Sequence, residues 1–281
     1  MINISRLVFI LLLSTLILAC SPGPSEEDNK TASTTPVEQA QEAAPDNTPE
    51  CTFVLGFDSW EPYQYADVGG HIAGLDIELV TAITDKMNCT IDYRRGTWVS
   101  LLNELRQGTV DMLLGASKTA DREQFALFSD AYRMEEISLY IRKDDESFPD
   151  RKSVSDFVEN GSKIGITEDY YYGPEVSMLL DGSVTSKFFS SGIMGELNIA
   201  RLLDHDIDGF LEDSFVGASL IRRKALSDYI VPHGITIQTG DAYVMFSKIS
   251  VSEEQLTEFN RYLAEIKASD VYDNIVKKYS H

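Results

Sequence analysis

From Thr52 onward the chain alternates short apolar runs with segments of helical period, and few folds accommodate that alternation. A strand pattern at 52–57 leads to a helix near 76–87, in which Leu79, Val80, Ile83 and Met87 share one face. Cys89 opens a second apolar strand over 89–93. The next helix, near 98–107, carries Trp98, Leu101, Leu102 and Leu105 at i, i+3, i+4 and i+7, which assigns Trp98 to the core, and a third short strand covers 110–115. Parallel strands need long crossovers, so this order predicts a mainly parallel sheet flanked by helices on both faces.

An extended apolar run at 137–142 gives way to a polar stretch at 144–152, where a second α/β series begins. Its expected pieces are strands at 163–166, near 184–189 and at 207–212, with helices near 194–204 and 214–225. The segment 241–247 reads as a strand returning to the first series, closed by helices near 252–267 and 270–279. The expected fold class is α/β with two lobes, each a mainly parallel sheet flanked by helices, joined by two hinge crossings near 139–145 and 233–241. Lobe 1 is 51–140 plus 240–281, and lobe 2 is 141–239.

Ahead of this region, Arg6 precedes an apolar run at 7–18 broken only by Ser14 and Thr15, too short to span a bilayer as a helix. It ends in Ile17, Leu18, Ala19 and Cys20, the pattern of a bacterial lipobox. Residues 1–19 therefore read as a lipoprotein signal peptide and Cys20 as the lipidated residue. Residues 20–50 form the tether, which is rich in Pro, Ser, Thr, Glu and Ala and lacks the aromatic residues needed to offset ordering entropy. A coil of that length reaches on the order of 30 Å. The expected location is the periplasm or cell surface, held to a bacterial membrane by lipid. In a Gram-negative cell Ser21, which is not aspartate, points to the outer membrane.

The formal charge of −21 opposes recognition of phosphate backbones, which needs a basic surface. Cys51 and Cys89 each open an apolar segment, as neighbouring parallel strands would, so their ends should lie side by side. In an oxidising compartment the pair reads as a disulfide, against two buried free thiols. His71, His205, His233 and His281 show no metal-ligand spacing, and neither a GxSxG element nor a phosphate-binding glycine loop occurs. No cofactor and no metal are expected.

In open parallel sheets ligands bind beyond the carboxyl ends of strands. The residues there are Asp58, Trp60, Pro62 and Tyr63 after the first strand, Ser117, Thr119 and Arg122 after the third, and Asp213 after 207–212.

The runs FDSWEPYQY (57–65), GLDIEL (74–79), TWVSLLNELRQGTVDMLLGASKTADRE (97–123), FSDAY (128–132) and YDNIVKKY (272–279) together resemble family 3 of the bacterial extracellular solute-binding proteins. The resemblance spans 52–279 and implies a monomeric two-lobed clamp for a small polar molecule, an amino acid or a derivative. Its expected partner is an ABC-type permease or a membrane sensor. On this pattern Arg122 binds a ligand α-carboxylate, aided by Ser117 and the backbone of Gly115. Asp213 holds the α-ammonium group, and Trp60 packs over the ligand side chain beside Asp58 and Tyr63. Plainer roles compete: an ion pair of Arg122 with Asp121 or Glu123, a helix cap for Asp213, a core position for Trp60. Glu212, adjacent to Asp213, could stand in its place.

The main departure is TEDYYY at 167–172, where relatives often carry a small Gly- and Thr-containing loop. Glu168, Asp169, Tyr170, Tyr171 and Tyr172 point away from ordinary α-amino-acid geometry, towards a ligand that is aromatic, cationic or without a standard carboxylate. Periplasmic cyclohexadienyl dehydratases share the fold and a similar TxxR element, so an enzyme is the alternative, with Glu168, Asp169 or Asp213 as acid or base.

Overall fold

The computed structural model describes residues 49–145, 148 and 150–279. The expected signal peptide, Cys20 and nearly all of the expected tether lie outside the described residues. The first series is β1 (Cys51–Phe57), a small ladder of β2 (Tyr65–Ala66) and β3 (Ile72–Ala73), α1 (Leu75–Lys86), β4 (Cys89–Arg95), α2 (Trp98–Gln107), β5 (Met112–Ser117), one helical turn α3 (Ala120–Glu123), β6 (Ala126–Phe128) and the long β7 (Arg133–Arg142). The second is α4 (Val154–Glu159), β8 (Ile164–Thr167), α5 (Gly173–Asp181), β9 (Phe189–Gly192), α6 (Gly195–Leu203), β10 (Gly209–Asp213) and α7 (Ser214–Arg223). β11 (Ile230–Ser247), α8 (Glu253–Lys267) and α9 (Asp270–Tyr279) follow.

The main sheet runs β4-β1-β5-β11-β7-β10-β8-β9, with β6 also on β11. β1 is parallel to β4 and β5, while β8 is parallel to β10 and β9, so each series builds its own parallel block. β7 and β11 are antiparallel partners that pass through both blocks, β5 and β6 pairing with one end of β11 and β10 pairing with β7 from Ile137 on. Cys51 is in register with Cys89, and the two are joined in a disulfide.

Apolar faces explain the layers. In the first lobe Leu79, Val80 and Ile83 of α1 pack with Phe259, Leu263 and Ile266 of α8, while Leu101 and Leu105 of α2 pack on Leu113 and Met245. Each such side chain contributes roughly 1.5–3 kcal/mol on burial. Thr97 caps α2 and Gly108, at φ 74°, ends it. In the second lobe Phe157, Val176 and Leu211 form one cluster; Ile199, Leu202, Phe210 and Leu220 form another, which also takes in Trp60 and Tyr63 from the first lobe.

Three expected strands move. The third is Met112–Ser117, so Ser117 closes the strand instead of following it. Residues expected near 184–189 form a 3-10 turn, Ser186–Phe188, ahead of β9, where the Thr185 hydroxyl donates to Leu179 O and Gly182 O and curls the chain. The returning strand starts not at 241 but at Ile230, because β11 pairs along nearly all of β7 before it reaches β5.

Candidate functional site

A cavity opens where the ends of β1, β5 and β8 meet β7. Asp58, Trp60, Gly115, Ser117, Arg122, Tyr170 and Tyr171 are in its wall, together with Trp98 and Glu135. A second cavity adjoins it, sharing Asp58, Trp60 and Tyr170 and adding Arg95, Glu196 and Glu212. Tyr63 and Asp213 are in neither wall; the Tyr63 hydroxyl donates to Asp213 Oδ2 at 3.5 Å.

Thr119 caps the single turn of α3, its side chain accepting from the Arg122 N–H, and so presents Arg122 to the cleft. Arg122 as a whole is 8% exposed. Nη1 donates to Ser117 O and Nη2 to Asp169 O, both at 2.8 Å, which ties the end of β5 to the loop after β8. It lies 5.4 Å from the Trp98 ring centroid. Neither competing ion pair forms: Glu123 pairs with Lys118 at 3.1 Å, and Arg122 is in no ion pair among the described residues. Burial lowers the Arg122 pKa, against which Glu135 and Asp169 favour the charged form.

The 167–172 loop is stitched to the first lobe through its backbone. Asp169, at φ 60°, turns its carbonyl to accept from Arg122 and, at 3.2 Å, from Trp98 Nε1. The Tyr170 ring meets Trp60 and Trp98 edge-on at 6.3 and 5.9 Å. Tyr172 is buried, and its hydroxyl accepts from the Thr167 N–H at 2.7 Å.

Gly115, at φ 68°, has no room for a side chain: a Cβ would stand 2.7 Å from the Trp60 ring and 2.8 Å from Arg133 Nη2. Its N–H donates to the Tyr132 hydroxyl at 2.9 Å, so that backbone donor is engaged inside the protein. Arg133 pairs with the fully buried Asp76 at 3.2 Å and stacks on Tyr63 at 3.8 Å.

Asp213 divides its carboxylate. Oδ1 caps α7 by accepting from Phe215 and Val216 N–H at 2.9 and 3.1 Å, and Oδ2 meets Tyr63. Glu212 accepts from Trp60 Nε1 at 3.3 Å and from the Asp213 N–H at 3.1 Å. Burial pushes Glu212 up to about 8 and Asp213 up to about 6, and it also raises Asp58. Among the described residues no three His, Cys, Asp or Glu side chains converge as a metal set.

Sequence reasoning missed Glu135 and placed Trp98 wholly in the core. Trp98 stands at the end of the apolar stripe of α2, where a large ring serves both packing and the cavity. Glu135 and Glu136 are adjacent acids entering an extended run, and strand alternation requires one of them to face inward.

Two α/β blocks joined by paired long strands, with a charged cleft between them, are the architecture of a periplasmic binding protein. Residues 53–281 match the bacterial extracellular solute-binding proteins, family 3, and the chain belongs to that family. It is 27% identical over 232 residues to a probable histidine-binding protein of Neisseria gonorrhoeae, covering 78% of each chain. It is 25% identical over 223 residues to the arginine-binding extracellular protein ArtP of Bacillus subtilis (strain 168), covering 78% of this chain and 82% of that one. A histidine kinase sensor domain with similarity to periplasmic binding proteins shares the fold, with TM-score 0.70, 23% identity, and coverage of 81% and 95%.

Proposed function

We propose that the protein is a lipid-anchored solute-binding protein that captures a small polar molecule, an amino acid or a derivative, by closing lobe 1 (51–140 plus 240–281) on lobe 2 (141–239). The observation that carries this reading is Arg122, a buried cation at the cavity whose donors reach carbonyls on both sides of the cleft. Ligand settles first against Trp60, Ser117 and Arg122; Tyr170, Tyr171 and the carbonyl of Asp169 then close over it. Relatives named as histidine- and arginine-binding proteins support a basic amino acid or a related compound as ligand. Cys20 anchors the chain, through residues 20–50, to a bacterial membrane. From there the loaded protein, acting as a monomer, meets an ABC-type permease or a membrane sensor.

A second reading, a dehydratase on the same scaffold, draws on one observation: Glu212, in the wall of the adjoining cavity, is a carboxyl held near 8 and so able to give up a proton close to neutral pH. A thermal-shift screen of the full chain in detergent against amino acids, amines, small carboxylates and prephenate separates the two. A true ligand at 100 times its dissociation constant stabilises by about 2.7 kcal/mol. Recovery of the hit unchanged by mass spectrometry supports binding, conversion supports the enzyme, and silence across the panel removes both.

A further inference from the structure

The groups that the family pattern gives to a ligand carboxylate already have partners. Arg122 spends two donors on the carbonyls of Ser117 and Asp169, and the Gly115 N–H is held by Tyr132. The Ser117 hydroxyl donates at 3.3 Å to Glu135 Oε2, which also accepts from Thr239 Oγ1 at 2.7 Å. Glu135 is 6% exposed and lies in the cavity wall. A carboxylate supplied by strand β7 therefore occupies the place beside Ser117 that a ligand carboxylate would take. A second carboxylate there would set two like charges side by side without water, an arrangement that opposes ionisation of both.

The remaining wall has the opposite appetite. Arg122 and Glu135 offset one another in the main wall, which leaves Asp58, common to both cavities; in the adjoining wall Arg95 stands with Glu196 and Glu212. Gln64, also in the main wall and 3% exposed, has a side-chain oxygen with no hydrogen-bond partner among the described residues. An unpartnered buried acceptor costs free energy until a donor reaches it. Ammonium and guanidinium groups carry donors only, and the Trp60 and Tyr170 rings beside Asp58 offer π-surface that favours a cation.

Resting on the solute-binding reading, we infer that Glu135 is a specificity-determining residue and that the ligand is an organic cation without an α-carboxylate, an alkylamine, guanidino compound or aromatic amine, whose charged group is received by Glu135, Asp58 and Gln64. The cleft so arranged excludes the parent amino acids by the same charge that receives their decarboxylated forms.

The test is calorimetry on the full chain in detergent with matched pairs: arginine and agmatine, lysine and cadaverine, histidine and histamine. In at least one pair the decarboxylated member should bind tighter by about tenfold or more. Glu135→Gln keeps an acceptor for Ser117 and Thr239 but removes the charge, and it should weaken that amine by about tenfold while narrowing the gap to its amino acid. Its folding is checked by circular dichroism, and the wild-type comparison stands without it. If the amino acid is the equal or tighter member of every pair that binds, the inference is overturned and solute binding survives. No heat from either member of any pair also overturns it, and silence in the wider thermal-shift panel would then take the solute-binding reading as well.

Discussion

Arg122→Ala weakens ligand binding by about 2 to 5 kcal/mol, most of it as faster dissociation. The size follows from what the guanidinium holds together. It is buried, it donates to Ser117 O at the end of β5 and to Asp169 O in the loop of the opposite lobe, and it lies over Trp98. Truncation leaves the Ser117 carbonyl without that donor. The Asp169 carbonyl keeps only its contact to Trp98 Nε1. What the closed state loses is charge-assisted bonding to carbonyls on both sides of the cleft, each bond of that kind being worth about 1.5–3 kcal/mol. Arg122→Lys should recover little, because an ammonium on a single point cannot reach two diverging carbonyls as a planar fork does. Calorimetry with whichever ligand the screen identifies measures the loss, and stopped-flow release measures its kinetic share. An affinity within a few tenths of a kcal/mol of wild type would remove Arg122 from lobe closure.

What could be read in the sequence follows a physical division. Helices α1, α2 and α8 were legible because each buries one stripe at helical spacing, and α9, expected at 270–279, is Asp270–Tyr279, with Ile275 buried between the half-buried Tyr272 and Tyr279. Helix α5 escaped because its stripe is short: only Gly173 and Val176 are buried, Leu179 and Leu180 are half-buried, and Met178 is exposed. The early part of β11 was hidden by register shifts between Pro232 and Thr236 and between Gln238 and Gly240, which break the alternation that identifies a strand. In the cleft, Arg122, Ser117 and Trp60 stand in short motifs and were found from them. Glu135 stands in none; its importance comes from a hydroxyl on β5 and another on β11, neighbours far apart in sequence. Asp213 carries a cap and a tyrosine contact on separate oxygens, and only the fold shows that both are in use.

The ligand-free protein should lose stability as pH rises from about 5 to about 8, and Glu212→Gln should remove most of that dependence. Burial raises the Glu212 carboxyl from 4.5 to about 8 and the Asp213 carboxyl from 3.8 to about 6. In both cases the folded form holds its proton at a pH where the unfolded chain has released it, so between the two values the native state binds more protons and stability falls with rising pH. This is the reverse of the common paired carboxylate. Asp213 contributes over roughly pH 4 to 6 and Glu212 over roughly pH 4.5 to 8, and the Glu212 share is on the order of 4 kcal/mol across its window. The groups facing Glu212 pull in both directions: Trp60 Nε1 and the Asp213 N–H stabilise its anion, while Asp213 and Glu135 oppose it. Asp58 and Asp76, whose carboxyls burial also raises, add to the fall in the same direction, whereas Asp67, Glu104 and Asp156, whose pKa values are lowered, are ionised above pH 5. Glutamine preserves an oxygen for Trp60 and for the Asp213 N–H, so the variant isolates the charge from the hydrogen bonds. Melting temperatures at intervals from pH 5 to 8.5 should decline for the wild type and stay nearly level for Glu212→Gln over the upper half of the range. A wild-type profile level across that interval would mean that Glu212 ionises without penalty and that water reaches the adjoining cavity freely. A cation bound beside Glu212 would draw its pKa down and expel a proton near neutral pH. Binding heats that vary with the ionisation enthalpy of the buffer would then report the same carboxyl from the ligand's side.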